Sequence, residues 1–132
     1  MNKYGEAAVE AAKLLITKSV KEPELAWDIA IANIFGKNTT SQKKGCPKGA
    51  FLGLCEHGLI KGVQIGSYTG SSDNKLYAVK AVKALKEESL LIKDPDLLWI
   101  KATGNKNIKH NNQMDVVISL WDEGLIEYNN SG

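Results

Sequence analysis

No arginine occurs in the chain; all 17 basic side chains are lysine. The guanidinium fork, which makes the commonest specific contact to guanine, is therefore missing. Cysteine occurs only at Cys46 and Cys55. Two thiols cannot build the disulfide framework of a small secreted domain, and Met1-Asn-Lys-Tyr-Gly-Glu6 leads into an Ala-rich amphipathic segment rather than the uninterrupted apolar core of an export signal. The expectation is a cytoplasmic protein with reduced thiols. No stretch approaches the roughly 18 apolar residues of a membrane span, so no membrane partner is expected. Neither Gly-x-x-x-x-Gly-Lys-[Ser/Thr] nor Gly-x-Gly-x-x-Gly is present, and no nucleotide cofactor is expected. Cys46, Cys55, His57 and His110 are the right types for zinc, but they lack the paired short spacing of a structural site, so no metal is expected.

What the chain does have is enough apolar content for a core. Its 132 residues are 43% hydrophobic and 24% charged, which reads as globular. A chain of this length buries roughly two-thirds of its unfolded surface. Apolar residues recur at helical spacing from Tyr4 to about Thr17, through Ala8, Ala11 and Leu15. Pro23 starts a second helix, ended by Gly36. Leu25, Trp27, Ile29, Ile31 and Ile34 surround that helix, so it is expected to be the buried central one, with Trp27 in the core. A third helix runs from Pro47 to about His57, with Ala50, Phe51 and Leu54 inward; Gly58 and Leu59 then fit a Schellman cap. A fourth covers Asn74 to Glu88, with Leu76, Val79, Val82 and Leu85 inward. Asp94-Pro95 starts a fifth, through Trp99 to Gly104, and Asn111 or Asn112 caps a sixth that Gly124 ends.

The two halves echo each other. Ala7–Ala12 answers Lys80–Leu85, Pro23–Trp27 answers Pro95–Trp99, and Glu56–Ile60 answers Asp122–Ile126. The offset falls from 72 to 66 between the last two pairs, so the second copy is six residues shorter between its second and third helices. The expected fold is all-α: two pseudo-repeated three-helix, winged-helix-like units sharing one core. The strands after Gly58 and Gly124 would form at most a minor two-stranded sheet. The units are residues 1–66 and 74–132, joined by a Gly- and Ser-rich linker at 67–73.

Charge is placed unevenly within a net +2. Lys37, Lys43, Lys44 and Lys48 lie between Asp28 and Glu56 with no acid among them. Lys101, Lys106, Lys109 and His110 lie likewise between Asp96 and Asp115. The other ten lysines face all fifteen acids, leaving −5 for the rest of the chain. Both basic windows cover the loop and start of a third helix, the element a helix-turn-helix presents to nucleic acid. The leading expectation is a non-enzymatic module that binds nucleic acid or another polyanion. Its contacts would be Ser41, Gln42, Lys43, Lys44 and Lys48, joined by Lys106 and Lys109. Alternatives are a protein–protein adaptor, or a phosphate-binding site or enzyme at the Gly45–Gly49 turn, since Gly45, Gly49 and Gly53 leave room for either a helix or a ligand.

Tyr4-Gly-Glu-Ala-Ala8, the stretch from Ser41 to Ile60 with its Gly45-Cys-Pro-Lys-Gly49 string, and Gln113-Met-Asp-Val-Val117 together resemble a family of small bacterial proteins known only as a domain of unknown function. The resemblance covers most of the chain and implies a self-contained protein. It brings no activity, ligand or catalytic residue.

Overall fold

A computed structural model describes residues 2–37, 39–40 and 43–127. Among them it is all-helical, with no strand or sheet. The helices are α1 (Lys3–Ile16), α2 (Pro23–Phe35), α3 (Gly45–Glu56), α4 (Ser72–Glu87), α5 (Pro95–Thr103) and α6 (Gln113–Asp122). A 3-10 turn at Ser89–Lys93, not foreseen from periodicity, links α4 to α5. No helix is long and apolar enough to cross a membrane.

The helix starts follow local chemistry. Asn2 takes the N–H groups of Tyr4 and Gly5 on its side-chain oxygen, at 2.8 and 3.3 Å. Pro23 and Pro95 occupy first-turn positions, and Asp94 accepts from the Leu97 N–H at 3.1 Å. The ends of α3 and α6 are built alike. Leu59 N–H bonds Leu54 C=O at 2.9 Å and Gly58 N–H bonds Cys55 C=O at 3.1 Å. Leu125 N–H bonds Leu120 C=O and Gly124 N–H bonds Trp121 C=O, both at 3.0 Å. Gly58 at φ 68° and Gly124 at φ 70° supply the left-handed residue that such a Schellman cap requires. The segments leaving the two caps meet at one antiparallel bridge, Ile60 to Ile126. Lys61 N–H donates to Leu125 C=O at 2.9 Å, and Glu127 N–H donates to Leu59 C=O at 2.8 Å.

The centre of the molecule is α3, not α2. Eight of the twelve residues of α3 are buried. In α2 the buried set is Pro23, Ala26, Trp27, Ala30 and Ile31, one face only, and Leu25 is 50% exposed. Hydrophobicity favoured α2, but small side chains decide how closely helices approach. A β-carbon on Gly53 would stand 2.6 Å from the Lys75 Cα, and one on Gly49 would stand 3.0 Å from the Asn74 Cβ. These two glycines let α4 lie directly on α3. That contact also sets the phase of α4. Its buried face is Ala78, Ala81, Val82 and Leu85, in line with Asn74 and Lys75, so Leu76 turns outward at 47% exposure. On the other side, Gly5 brings α1 against α6, where an added β-carbon would stand 3.0 Å from the Asp115 carbonyl. Buried side chains from all six helices form one hydrophobic cluster.

Residues 67–71 are tied down rather than free-running. The Glu56 carboxylate accepts from the N–H groups of Tyr68 at 2.9 Å and Thr69 at 3.3 Å. It also binds the Lys75 ammonium across the α3–α4 seam. The Lys75 bond, followed by the Tyr68 N–H, holds the Glu56 carboxyl down at about 2, well below its ordinary 4.5. A lowered carboxyl contributes stability above pH 4.5 that is lost as pH falls towards 2. Acid denaturation of the wild type should therefore steepen across that window, and Glu56→Gln should flatten it while lowering stability at pH 7. Urea melts at stepped pH measure both.

The seam makes a second expectation. Gly53→Ala should cost about 1–3 kcal/mol of unfolding free energy through overpacking. Gly45→Ala, with nothing within 4 Å of the new carbon, should be neutral or gain up to about 1 kcal/mol. Equal effects of the two substitutions in denaturant melts would contradict the close α3–α4 contact.

Candidate functional site

The start of α3 points its first cation across the molecule. Lys44 holds the N-cap position with extended backbone and makes no side-chain cap. Its ammonium lies 4.9 Å from the centroid of the Tyr4 ring, a cation–π distance, and donates to Asn112 Oδ1. Tyr4 stacks on Phe35 with ring centroids 4.8 Å apart, and the Lys3 ammonium sits 5.7 Å from the Phe35 ring. The starts of α1, α3 and α6 thus meet the end of α2 at one place. The two basic loops, far apart in sequence, adjoin there.

The second loop is held from inside. The Trp99 indole N–H donates to the Ile108 carbonyl at 2.7 Å, and the His110 ring packs 5.0 Å from the Trp99 ring. His110 Nε2 accepts the Met114 N–H at 3.0 Å, so a histidine two residues ahead of the N-cap caps α6. Asn112 lies at that N-cap in the left-handed conformation, φ 70°, and its amide donates to Asp115 at 2.8 Å. Gln113, only 3% exposed, donates to Asn74 at 3.0 Å and accepts from the Asn111 N–H at 2.6 Å. Asn74 in turn donates to Ser71 Oγ at 2.8 Å. A polar chain therefore joins Lys44 on α3, through the start of α6, to the start of α4.

The residues expected to contact an anion fall into distinct environments. Ser41 and Gln42 lie outside the described residues. Lys43, Lys106 and Lys109 are exposed. Lys44 is half-buried and committed to Asn112 and Tyr4. Lys48 reaches back to α2 and pairs with Asp28 at 3.1 Å and Glu24 at 3.3 Å, so its charge is matched within the protein. Of the three glycines along α3, Gly49 and Gly53 are covered by α4 and Gly45 faces open space. Burial pushes the Cys55 thiol far up from its ordinary value, so it stays protonated. Among the described residues, no three His, Cys, Asp or Glu side chains gather as metal ligands would. Sequence reasoning gave Tyr4, Asn74, Asn112 and Gln113 places in helices or caps but no part in the site. The one available signal was the amide run Asn111-Asn112-Gln113 ahead of a helix.

His110 is the titratable centre of this face. Burial is the main cause that lowers it from 6.5, and Lys44 acts in the same direction. Asp115 and Asp96 oppose them. Its bond to an N–H also requires the neutral ring, with Nε2 as acceptor. A lowered histidine contributes stability above pH 6.5 that is lost as pH falls below it. Lowering pH from 7.5 to 5.5 should destabilise the wild type, and His110→Phe should remove most of that dependence. The check is urea melts at each pH, with amide exchange at Met114 reporting on the cap.

No curated protein and no solved structure matches the chain. Residues 1–127 match a family described as "Family of unknown function (DUF6979)", and the chain belongs to that family.

Proposed function

We propose that the chain is a non-enzymatic module that binds a polyanion, nucleic acid foremost, with the two basic loops acting as one surface. The observation that carries this is the bond from the Lys44 ammonium to Asn112, which joins the loop before α3 to the loop before α6. Exposed Lys43 lies next in sequence to Lys44, and exposed Lys106 and Lys109 belong to the loop that ends at Asn112. The starts of α3 and α6 add the partial positive charge of helix N-termini.

The mode of contact differs from groove reading. A helix-turn-helix would insert α3, yet most of α3 is packed inside the protein. The same holds for α6, where Gln113, Met114, Val116, Val117, Ser119 and Leu120 are buried. Only loops and first turns are available, and those suit phosphate contacts rather than base edges. With lysine as the only cation carrier, binding is sequence-tolerant and strongly salt-dependent. We read the two halves as copies of one three-helix unit. The matching sequence segments, the twin Schellman caps and the antiparallel Ile60–Ile126 bridge support that reading. In such a pair the two third-helix loops are equivalent, which accounts for their shared charge.

The test is fluorescence anisotropy with labelled single- and double-stranded oligonucleotides across a salt series. Lys43→Gln/Lys109→Gln should weaken binding about tenfold at low salt. The slope of log K against log salt should flatten by about 0.9 for each duplex phosphate no longer neutralised. Lys48→Gln should leave affinity nearly unchanged, because Glu24 and Asp28 already hold that charge. Wild-type protein that fails to bind at about 50 mM salt, or a double variant that binds equally well, would end the proposal.

A further inference from the structure

We propose that the cleft between the α1–α2 turn and the segment 62–68 binds a small organic monoanion, a carboxylate on an aromatic or branched hydrocarbon body. The cleft encloses about 300 Å³. Two separate stretches of chain form it. Lys18, Val20 and Lys21 come from the turn, and Val63, Gln64 and Tyr68 from the later segment. Leu15, buried in the last turn of α1, lines it from the core side. The later segment is seated on α1: a β-carbon on Gly62 would stand 3.5 Å from Ile16 Cγ1.

The Tyr68 wall is fixed before any ligand arrives. Its N–H donates to the Glu56 carboxylate at 2.9 Å, and its hydroxyl donates to the Gln64 carbonyl at 2.9 Å. The ring folds onto the backbone at Gly66, where a β-carbon would stand 2.6 Å from the ring Cζ. With the hydroxyl committed to Gln64, what Tyr68 offers the cleft is its ring. Size agrees with a ring as guest. An apolar cavity of about 150 Å³ takes a benzene, so this cleft has room for a ring with a short acid side chain.

Charge selects the head group. Lys18 and Lys21 are exposed and hold no ion pair among the described residues, whereas Lys48 and Lys75 do. Lys18 also has left-handed backbone, φ 62°, just past α1. Glycine fills the left-handed exits of α3, α5 and α6. A lysine there bears a conformational cost that glycine would avoid, and it does so at the edge of the cleft. Two ammonium groups beside Leu15, Val20 and Val63 suit a negative head on an apolar body. A second cavity, about 330 Å³, adjoins at Lys21 and Tyr68 and is lined by Glu22 and Glu24. Glu22 holds no ion pair among the described residues, and Glu24 shares Lys48 with Asp28. Those carboxylates repel a dianion or a phosphate chain, so a single negative charge fits best. The site shares no residue with the two basic loops, so it stands or falls apart from polyanion binding.

The probe is phenylacetate, titrated into the full chain and followed by methyl and aromatic chemical shifts. Phenylacetamide, the same shape without the charge, and inorganic phosphate, a charge without the ring, are the controls. Phenylacetate shifts should saturate with a dissociation constant of about 1 mM or tighter, largest at Leu15, Val20, Val63 and Tyr68. Phenylacetamide should bind about fivefold more weakly, and phosphate should not compete. Lys21→Gln should weaken phenylacetate about threefold. Lys18→Gly should weaken it as much while leaving the urea midpoint unchanged or higher, because glycine accepts the left-handed backbone. A lysine with only a structural role would leave phenylacetate binding unmoved by that substitution, and such a result overturns the proposal. Equal binding of the acid and the amide overturns it too, as does competition by phosphate. So do shifts centred on Lys43 and Lys109, or the absence of any saturating shift up to about 20 mM.

Discussion

The α3–α4 contact rests on the missing side chains of Gly53 and Gly49. With no β-carbon at either position, α4 lies against α3 so closely that Lys75 backbone occupies the space a methyl would fill. Three consequences follow from that distance. It makes α3 the central helix, sheathed over most of its surface. It aligns Asn74 and Lys75 with the buried face of α4 and turns Leu76 to solvent. It also brings Lys75 within reach of Glu56, whose second task is to hold the backbone of Tyr68 and Thr69. The chain between the halves is thereby anchored to the seam it precedes.

The same contact limits what the molecule can do. A helix wrapped by its neighbours cannot enter a groove of duplex DNA, whatever the resemblance of its flanking pattern to a helix-turn-helix. What remains accessible is the rim where helices begin. There the order is polar rather than apolar: Lys44 to Asn112, Gln113 to Asn74, Asn74 to Ser71. A low-dielectric neighbourhood makes each of these bonds stronger and each unmet group more costly. The two tryptophans mark the contrast between the halves. The Trp99 indole N–H reaches the Ile108 carbonyl, while the buried Trp27 indole lies tilted against Phe51 at 5.4 Å, its N–H unpartnered among the described residues.

Much of this architecture was legible in residue order, and the reason is local. Pro23 and Pro95 fix first turns, and Gly58 and Gly124 fix left-handed exits, because each imposes its own backbone angles wherever it stands. The helical spacing of Ala8, Ala11 and Leu15 marked the inner face of α1, and all three are buried. What was not legible depends on partners. Counting apolar residues placed α2 at the centre, because the count ignores glycine. The α3 stripe Gly45, Gly49 and Gly53 allowed a helix or a ligand until α4 was seen to lie on two of the three. The cap of α6 looked like an asparagine task, yet His110 performs it, since a side chain approaching from outside the first turn leaves no spacing signature. Lys44 and Lys48 looked equivalent in a run of lysines. Their neighbours in space, an aromatic ring and an amide for one and two carboxylates for the other, separate them.

Where charge is paired and where it is not divides the surface by use. Glu56 and Lys75 are partly buried and matched, as the cost of desolvating an ion requires. Lys43, Lys106 and Lys109, and likewise Glu6 and Glu123, stay in water, where an unpaired ion costs little. These two unpaired sets differ in the kind of recognition they permit. Lysine is a hydrated point charge without the planar fork that reads a base, so a polyanion bound on these loops, as proposed, would be attracted at long range but discriminated poorly. The outer face of α1 sets Glu6 and Glu10 beside Lys13, so it carries both signs over a short span. On the proposed reading, the lysine loops would set how strongly and at what salt a polyanion is held, and any discrimination would have to come from its shape, since no guanidinium is present to read a base.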